Sequence, residues 1–340
     1  MTLRDVARAA GVHVSTASRA LNEETRSVVH PQTTERVLAV AEELGYTPNP
    51  LAKGLRTNKS MTIGMVISDI ENPVFGPIIA GVEATVGREG YSTLIAEAIA
   101  HDPAALTPVI DALVDRRVDG MVLAMATRSG ENAARLKRLG VPVVLVNRAV
   151  DDVEVASIVG DDQFGIGLSV QHLAGLGHEL IGHLAGPMET STALGRLQGY
   201  HKHMEELGLD HPDSAVESAE WYQIEPGYKA AGVLLDRRPD LTALVAANDL
   251  IALGAYRAIR ERGLEVGADI SVTGYNDMML LDMIQPSLTS IRVPYREMGS
   301  EAAELLLQMM THPDPESEPH GTKRLRPSLS ARDSTQPPPA

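Results

Sequence analysis

From Thr62 onward the chain alternates short apolar runs with amphipathic stretches, and this alternation most narrows the folds open to it. The apolar runs cover 63–67, 92–96, 120–124, 142–146, 181–185, 243–246 and 270–274. They are rich in Val, Ile and Leu and hardly alternate with polar residues, as strands buried on both faces of a parallel sheet do. Helical periodicity fills most of the gaps, at 75–89, 103–116, 130–139, 163–176, 190–207, 225–236 and 248–262. Such alternation builds parallel sheets covered by helices, and about a dozen elements exceed one small sheet, so two lobes are expected. A chain of 340 residues has room for two or three domains, and a hydrophobic fraction of 44% supplies their cores.

The first sixty residues follow a different pattern. Thr2, with Asp5 three positions later, has capping-box form, and Leu3, Val6, Ala7 and Ala10 then mark one helical face. Gly11 provides a tight turn. A second helix is expected over 14–22, with Ala17, Ala20 and Leu21 inward. Two short helices joined by an Ala-Gly-Val turn form a helix-turn-helix, whose small residues let the helices approach closely. A third helix starts at Pro31, carries Val37, Leu38, Ala41 and Leu44 on one stripe and stops at Gly45, where Tyr46 can plug the small core. Thr47-Pro-Asn-Pro50 then interrupts regular structure. Residues 51–56 could form one or two helical turns, too few to be stable alone.

Charge separates the two regions. Residues 1–60 hold eight Lys/Arg against six Asp/Glu, a surplus of +2 that leaves −17 for the remainder of a chain totalling −15. An acidic body is repelled by phosphates, which favours presenting the first region to a nucleic acid. The chain has no cysteine, so disulfides and thiolate chemistry are excluded. It shows neither an apolar leader nor a run of the roughly 20 apolar residues that spans a bilayer, so a cytoplasmic protein without membrane association is expected.

The segments TLRDVARAAGVHVSTASRALN and ERVLAVAEELGYTPNPLAKGLR together resemble the headpiece of the lactose/galactose repressor (LacI/GalR) family. The resemblance implies a second helix in the major groove of double-stranded DNA, with Val14, Ser15 and Arg19 facing base edges. Arg19 suits a guanine, because its fork matches the O6 and N7 acceptors. Thr2, Thr16, Ser18 and Asn22 are then expected on phosphates, which set register and not sequence. Leu55, flanked by Ala52 and Lys53, matches a hinge-helix wedge that enters a base step from the minor groove. Three departures stand out. His13 and His30 occupy positions where the family usually has Ser, and the loop 23–29 is about two residues longer. These are either drift in a tolerant loop or, at His13, a helix start facing phosphate, a pH-sensitive contact.

The resemblance continues through IGMVISDIENPVF, GVPVVLVNR, GRLQGY, ANDLIALGAYRAIRERGL and DISVTGYND. It implies a fold similar to periplasmic sugar-binding proteins, with lobes joined by three crossing linkers. In open parallel sheets, ligands bind beyond the carboxyl ends of strands. Those ends here carry Ser68-Asp69, Asn72 to Phe75, Asn147-Arg148, Asn248-Asp249 and Tyr275-Asn-Asp277, alongside few aromatics. Amides on the rim and a ring on the face suit a polar, uncharged, ring-shaped ligand such as a sugar, sugar derivative or nucleobase. By positional match the effector-contacting set is Phe75, Asn147, Thr192, Arg196, Trp221, Asn248, Asn276 and Tyr295. Asn147 and Asn276 stand where the family often has Asp.

The chain lacks a phosphate-loop motif and the G-x-S-x-G elbow. His178, Glu179 and His183 have the wrong spacing for a helical zinc site, and His201 and His203 diverge on a helix. No enzyme activity, cofactor or metal is expected. The full reading is an all-α helix-turn-helix headpiece (1–47), a hinge (48–60) and an α/β two-lobed periplasmic-binding-protein-like sensor (61–332). Lobe 1 takes 61–160 and 293–320, lobe 2 takes 161–290 and 322–332, and 333–340 forms a disordered tail. With no leucine heptad at the end, a homodimer on a pseudo-palindromic operator is expected. A sugar-binding protein without a regulatory role is the alternative.

Overall fold

The structure is a computed structural model that describes residues 1–22, 25–46, 59–98, 103–311 and 321–339. It divides into two compact units, Met1–Met61 and Thr62–Ala340. The hinge positions Ala52, Lys53 and Leu55 lie outside the described residues, as does part of the loop 23–29.

The first unit packs three helices, α1 (Leu3–Ala9), α2 (Val14–Leu21) and α3 (Pro31–Glu43). Thr2 and Asp5 form the capping box: the Asp5 carboxylate accepts from the Thr2 amide at 2.9 Å, and the Thr2 hydroxyl accepts from the Asp5 amide at 3.4 Å. Gly11 turns the chain at φ +64°, a conformation open to glycine at no steric cost. The core is Val6, Ala7, Ala10, Ala17, Ala20, Val37 and Ala41, with Tyr46 packed against it. Alanines at the α1–α2 contact bring the two backbones close, as the turn demands.

The second unit contains two six-stranded sheets. One sheet, in the order β11-β5-β4-β3-β1-β2, is assembled from β1 (Thr62–Ile67), β2 (Ser92–Glu97), β3 (Gly120–Leu123), β4 (Val143–Val146), β5 (Ser157–Gly160) and β11 (Thr322–Leu325). All its pairings are parallel. The other, in the order β12-β10-β9-β8-β6-β7, contains β6 (Ile181–Ala185), β7 (Val216–Ser218), β8 (Ala243–Ala246), β9 (Ser271–Asn276), β10 (Thr289–Arg292) and β12 (Ser328–Ser330), with only β12 antiparallel. The helices are α4 (Phe75–Val86), α5 (Pro103–Asp115), α6 (Glu131–Arg138), α7 (Asp162–Gly175), α8 (Ser191–Glu206), α9 (Ile224–Arg237), α10 (Asp249–Glu261) and α11 (Tyr295–Thr311). Among the described residues, no helix is long and apolar enough to cross a membrane.

Both lobes have helix pairs pressed together through glycine. A Cβ on Gly299 of α11 would collide with the Ile78 carbonyl of α4, and one on Gly254 of α10 with the Ile224 carbonyl of α9. The chain passes between lobes three times: from β5 to α7, from β10 to α11, and from β11 to β12. The last crossing differs from the expected boundary, which placed all of 322–332 in lobe 2. Thr322–Leu325 instead adds an edge strand to lobe 1, pairing Leu325 with Gly160, and Leu325 is buried there. Its exposed Thr-Lys-Arg face hides the strand from a hydrophobicity reading.

The expected disordered tail is also corrected. Ser334 is fully buried and Thr335 nearly so. The Ser334 hydroxyl donates to the Val272 carbonyl at 2.6 Å and accepts the Thr289 amide at 2.8 Å. His178 Nε2 lies 2.8 Å from the Gln336 carbonyl and 3.0 Å from Ser271 Oγ, tying the tail to β9. Polar composition misleads here, because the tail supplies hydrogen bonds to backbone that would otherwise be buried unpaired. Ser334→Ala leaves two buried backbone groups unsatisfied and is expected to cost about 2 kcal/mol, read as a lower urea midpoint with unchanged slope.

Candidate functional site

In the headpiece, Ser15, Ser18, Arg19 and Asn22 recur at three- and four-residue spacing, so they share one face of α2 opposite buried Ala17 and Ala20. Ser15 and Arg19 are exposed, while Val14, Thr16, Ser18 and Asn22 are half-buried. His13 takes the role that a serine would have. Its Nδ1 accepts the Ser15 amide at 3.3 Å and lies 2.7 Å from Ser15 Oγ, capping the helix from its N-terminus. His30 makes no such side-chain cap on α3. An exposed cation on a helix whose inner face is all alanine can be inserted into a groove without disturbing the core.

In the second unit, the carboxyl ends of the two sheets face each other across a small cavity of about 30 Å³. Seven of the eight expected effector residues line it: Phe75, Asn147, Thr192, Arg196, Asn248, Asn276 and Tyr295. Asn72, Val74, Arg148 and Tyr222 complete the wall. Trp221 lies instead on an adjoining recess of about 300 Å³, with Ser68, Asp69, Glu97 and Thr190, which shares Asn72, Arg148 and Tyr222 with the inner cavity. The inner space holds about one water, so a ring-sized ligand requires the lobes to part.

Arg196, on α8, is the anchor of the lobe 2 wall. Its Nε donates to Asp162 Oδ1 at 2.8 Å and its Nη1 to the Ala247 carbonyl at 2.6 Å, with the Tyr275 ring centroid 3.8 Å from the guanidinium carbon. Burial works against its charge, but Asp162 and the surrounding tyrosines hold it protonated above its ordinary range. Two of its donor groups are thus spent inside the protein, leaving Nη2 as the least committed one. Asn248 is similarly divided: its Oδ1 caps α10 by accepting the Ile251 amide at 2.8 Å, so only its NH₂ can serve a ligand. Across the lobes, the Tyr295 hydroxyl donates to Asn276 Oδ1 at 2.6 Å.

Sequence reasoning missed Asp162, which touches the site through Arg196, and Tyr222, which fills its wall, because no motif marks them; Tyr275 is visible only as a strand-end residue, not as the ring against Arg196. Asp249 was seen only as a strand-end polar residue. It is fully buried, accepts Ser290 Oγ at 2.5 Å and the Met278 amide at 2.9 Å, and burial pushes its carboxyl up to about 7. The histidines excluded as metal ligands have other partners. His183 Nδ1 lies 2.8 Å from the Val245 carbonyl, and its ring stacks on Tyr200, where burial lowers it to about 4. Among the described residues no group of three potential metal ligands converges.

Asp249 carries a pH consequence. Its folded value exceeds its unfolded value of 3.8, so the stability it confers is complete below that and falls as pH rises toward 7. Replacement by Asn removes this dependence. The stability difference between wild type and Asp249→Asn is expected to shift against wild type by up to about 4 kcal/mol between pH 4 and pH 7.5 and then level off. Using the difference cancels His183, whose depressed value acts in the opposite sense.

Comparison with known proteins bears on both units. Residues 2–49 match the model for bacterial regulatory proteins of the lacI family, and residues 170–335 match a periplasmic binding protein-like domain. The HTH-type transcriptional repressor PurR of Haemophilus influenzae (strain PittEE) is 32% identical over 338 residues, covering 98% of both chains. The ribose operon repressor of Escherichia coli K12 is 32% identical over 313 residues, 92% of this chain and 94% of its own. A solved lac repressor dimer bound to operator and the anti-inducer ONPF superposes with TM-score 0.88 at 31% identity, covering 99% of each chain. The regulator CelR in complex with cellobiose gives TM-score 0.75 at 30% identity, covering 98% of this chain and 99% of its own.

Proposed function

The chain belongs to the lacI family of bacterial regulatory proteins, and from that premise we propose that it is a cytoplasmic, homodimeric repressor whose headpiece residues and inter-lobe cavity divide the work of reading DNA and sensing a small polar effector. The observation that carries the reading is the pairing, in one chain, of an exposed Arg19 face on α2 with a buried, polar cavity at the carboxyl ends of two parallel sheets. Val14, Ser15 and Arg19 are assigned to base edges; Thr2, Thr16, Ser18 and Asn22 to phosphates; Ala52, Lys53 and Leu55 to the minor groove at the hinge. Phe75, Asn147, Thr192, Arg196, Asn248, Asn276 and Tyr295 are assigned to the effector, with Trp221 at the mouth. No catalytic step enters this reading, and the relatives named above are transcriptional repressors.

Dimerisation is supported by the exposed apolar residues Met279, Leu280 and Met283 of lobe 2, which stand 67–85% exposed. Apolar surface of this kind fits a self-complementary interface on a two-fold axis, and two headpieces on that axis read two half-sites. The effector acts through its differential affinity for lobe arrangements. A ring between the lobes must break or replace the Tyr295–Asn276 hydrogen bond, so occupancy and lobe angle are linked.

The test is a gel-shift titration against a selected operator, with and without effector. Arg19→Ala is expected to weaken specific binding by roughly 1–3 kcal/mol and to relax preference at one base pair in each half-site, while non-specific binding falls much less. Unaltered base preference in that variant removes Arg19 from the reading set. Effector binding that leaves operator affinity unmoved rejects the regulatory coupling.

A further inference from the structure

Arg148 is a buried cation without a counter-charge. It follows Asn147 at the carboxyl end of β4 and is 8% exposed. Its Nε is shut off from solvent and has no hydrogen-bond partner among the described residues. No carboxylate of the described residues forms an ion pair with it; beyond burial, the groups that bear on it are the Tyr222 phenol, which favours its charge, and the cation Arg196, which opposes it. Burial pulls its guanidinium below its ordinary range, yet an arginine remains protonated at neutral pH. A nearly buried guanidinium with no ion-pair partner and one N–H shut off from water is costly to hold, and such groups are normally paired.

The position of this side chain says what would complete it. Arg148 lines both the inner cavity and the adjoining recess, so it stands where the two meet. The wall of the inner cavity contains two cations, Arg148 and Arg196, and no acid. Asp162 neutralises Arg196, which leaves Arg148 as uncompensated positive charge. Three acids, Asp69, Glu71 and Glu97, line the outer recess, but two of them are engaged with backbone. Glu97 accepts the Ile70 amide at 3.0 Å and Asp69 accepts the Glu71 amide at 2.9 Å, fixing the mouth and not the floor.

Building on the effector reading above, we infer that the effector is an anionic polyol, a hydroxylated ring or chain carrying a carboxylate or phosphate, and that Arg148 grips the anionic group while the amides and Arg196 take the hydroxyls. The two anions share the planar, charge-assisted pairing that a guanidinium fork makes. This departs from the uncharged ligand expected from the residue types alone, because burial and lack of a partner cannot be read from a sequence.

The experiment uses the full-length protein in chloride buffer and matched probes: glucose, gluconate and glucose 6-phosphate, then ribose and ribose 5-phosphate. Thermal shift finds binders and calorimetry measures affinity. At least one anionic probe is expected to bind in the millimolar range or tighter while its neutral counterpart does not. The carboxylate and phosphate arms decide which anion is preferred. Arg148→Gln is expected to lose roughly 10- to 100-fold in affinity for that probe, with Arg148→Lys intermediate. Without ligand, Arg148→Gln is expected to melt at or above the wild-type temperature, since it removes an unpaired buried charge; a merely structural arginine would lower it. If neutral sugars bind as well as their anionic partners and Arg148→Gln changes neither, this inference fails and the effector reading stands. If no probe of either class binds while operator binding is intact, this inference fails, and the effector reading is decided by the gel-shift titration above.

Discussion

The sensor is organised around one desolvated guanidinium. Arg196 extends from α8 toward Asp162 at the start of α7, the Ala247 carbonyl after β8 and the ring of Tyr275 in β9. Four separate pieces of lobe 2 therefore meet at one charge, beside the first crossing between lobes. The pair is nearly dry, with side-chain exposures of 5% and 13%, so removing either partner would leave an uncompensated charge in the interior. Close packing follows from this. Gly165, one turn after Asp162, is needed because any Cβ there would strike the Tyr275 hydroxyl. The binding wall is consequently pre-formed on the lobe 2 side, and adaptation to a ligand must come from lobe 1.

That division gives the cavity its mechanical meaning. Asn72, Phe75, Asn147, Arg148 and Tyr295 belong to elements of lobe 1, while Thr192, Arg196, Tyr222, Asn248 and Asn276 belong to lobe 2. Besides Tyr295 and Asn276, the lobes are joined by the Ala149 amide donating to Ser191 Oγ at 2.9 Å and the Arg128 amide donating to the Glu189 carbonyl at 3.1 Å. These are few, exposed or half-exposed hydrogen bonds, each of modest net worth. A ligand that replaces them with contacts of its own meets little resistance, and three chain crossings restrict the lobes to a hinge-like rearrangement.

Much of this architecture was legible in the sequence, and the misses have specific causes. The seven apolar runs all form strands: in most of them double-sided burial forces near-continuous Val, Ile and Leu, while β2 is a partly exposed edge strand. Strands β5, β7 and β10 do not stand out as separate apolar runs: β7 has three residues, β5 opens on Ser and closes on Gly, and β10 carries Thr289, which bonds to the tail, and Ser290, which bonds to Asp249 and the Asp277 amide. The tail itself was read as disordered because its role is to donate and accept hydrogen bonds, and composition cannot distinguish that role from solvation. Seven of the expected residues line one cavity: strand ends and positional resemblance both point to Phe75, Asn147, Asn248 and Asn276, whereas Thr192, Arg196 and Tyr295, on helices, are reached by the resemblance alone. Trp221 was displaced to the mouth because it lies in a turn preceding α9, beyond the wall formed by Tyr222. Arg148 was visible as a residue but not as an unpaired charge, since pairing is a property of three dimensions.

The two cavity asparagines show how far residue type alone can be interpreted. Asn147 sits at φ +68° and Asn276 at φ +116°, with Asp277 following at φ +52°. Side chains other than glycine seldom adopt these conformations, and Asn and Asp tolerate the left-handed region best. Backbone geometry at both strand ends thus already restricts the choice to a short polar residue before any ligand is considered. At Asn276 the side chain is then used, bonded to Tyr295 across the cleft, while the neighbouring Asp277 is clamped by Arg292 at 2.7 Å and Arg332 at 2.7 Å. The strained turn is held from both sides, by a bridge into lobe 1 and by two cations from β10 and the tail. A change in lobe angle must pass through it, so conformational strain, the inter-lobe hydrogen bond and two ion pairs converge on the same two residues.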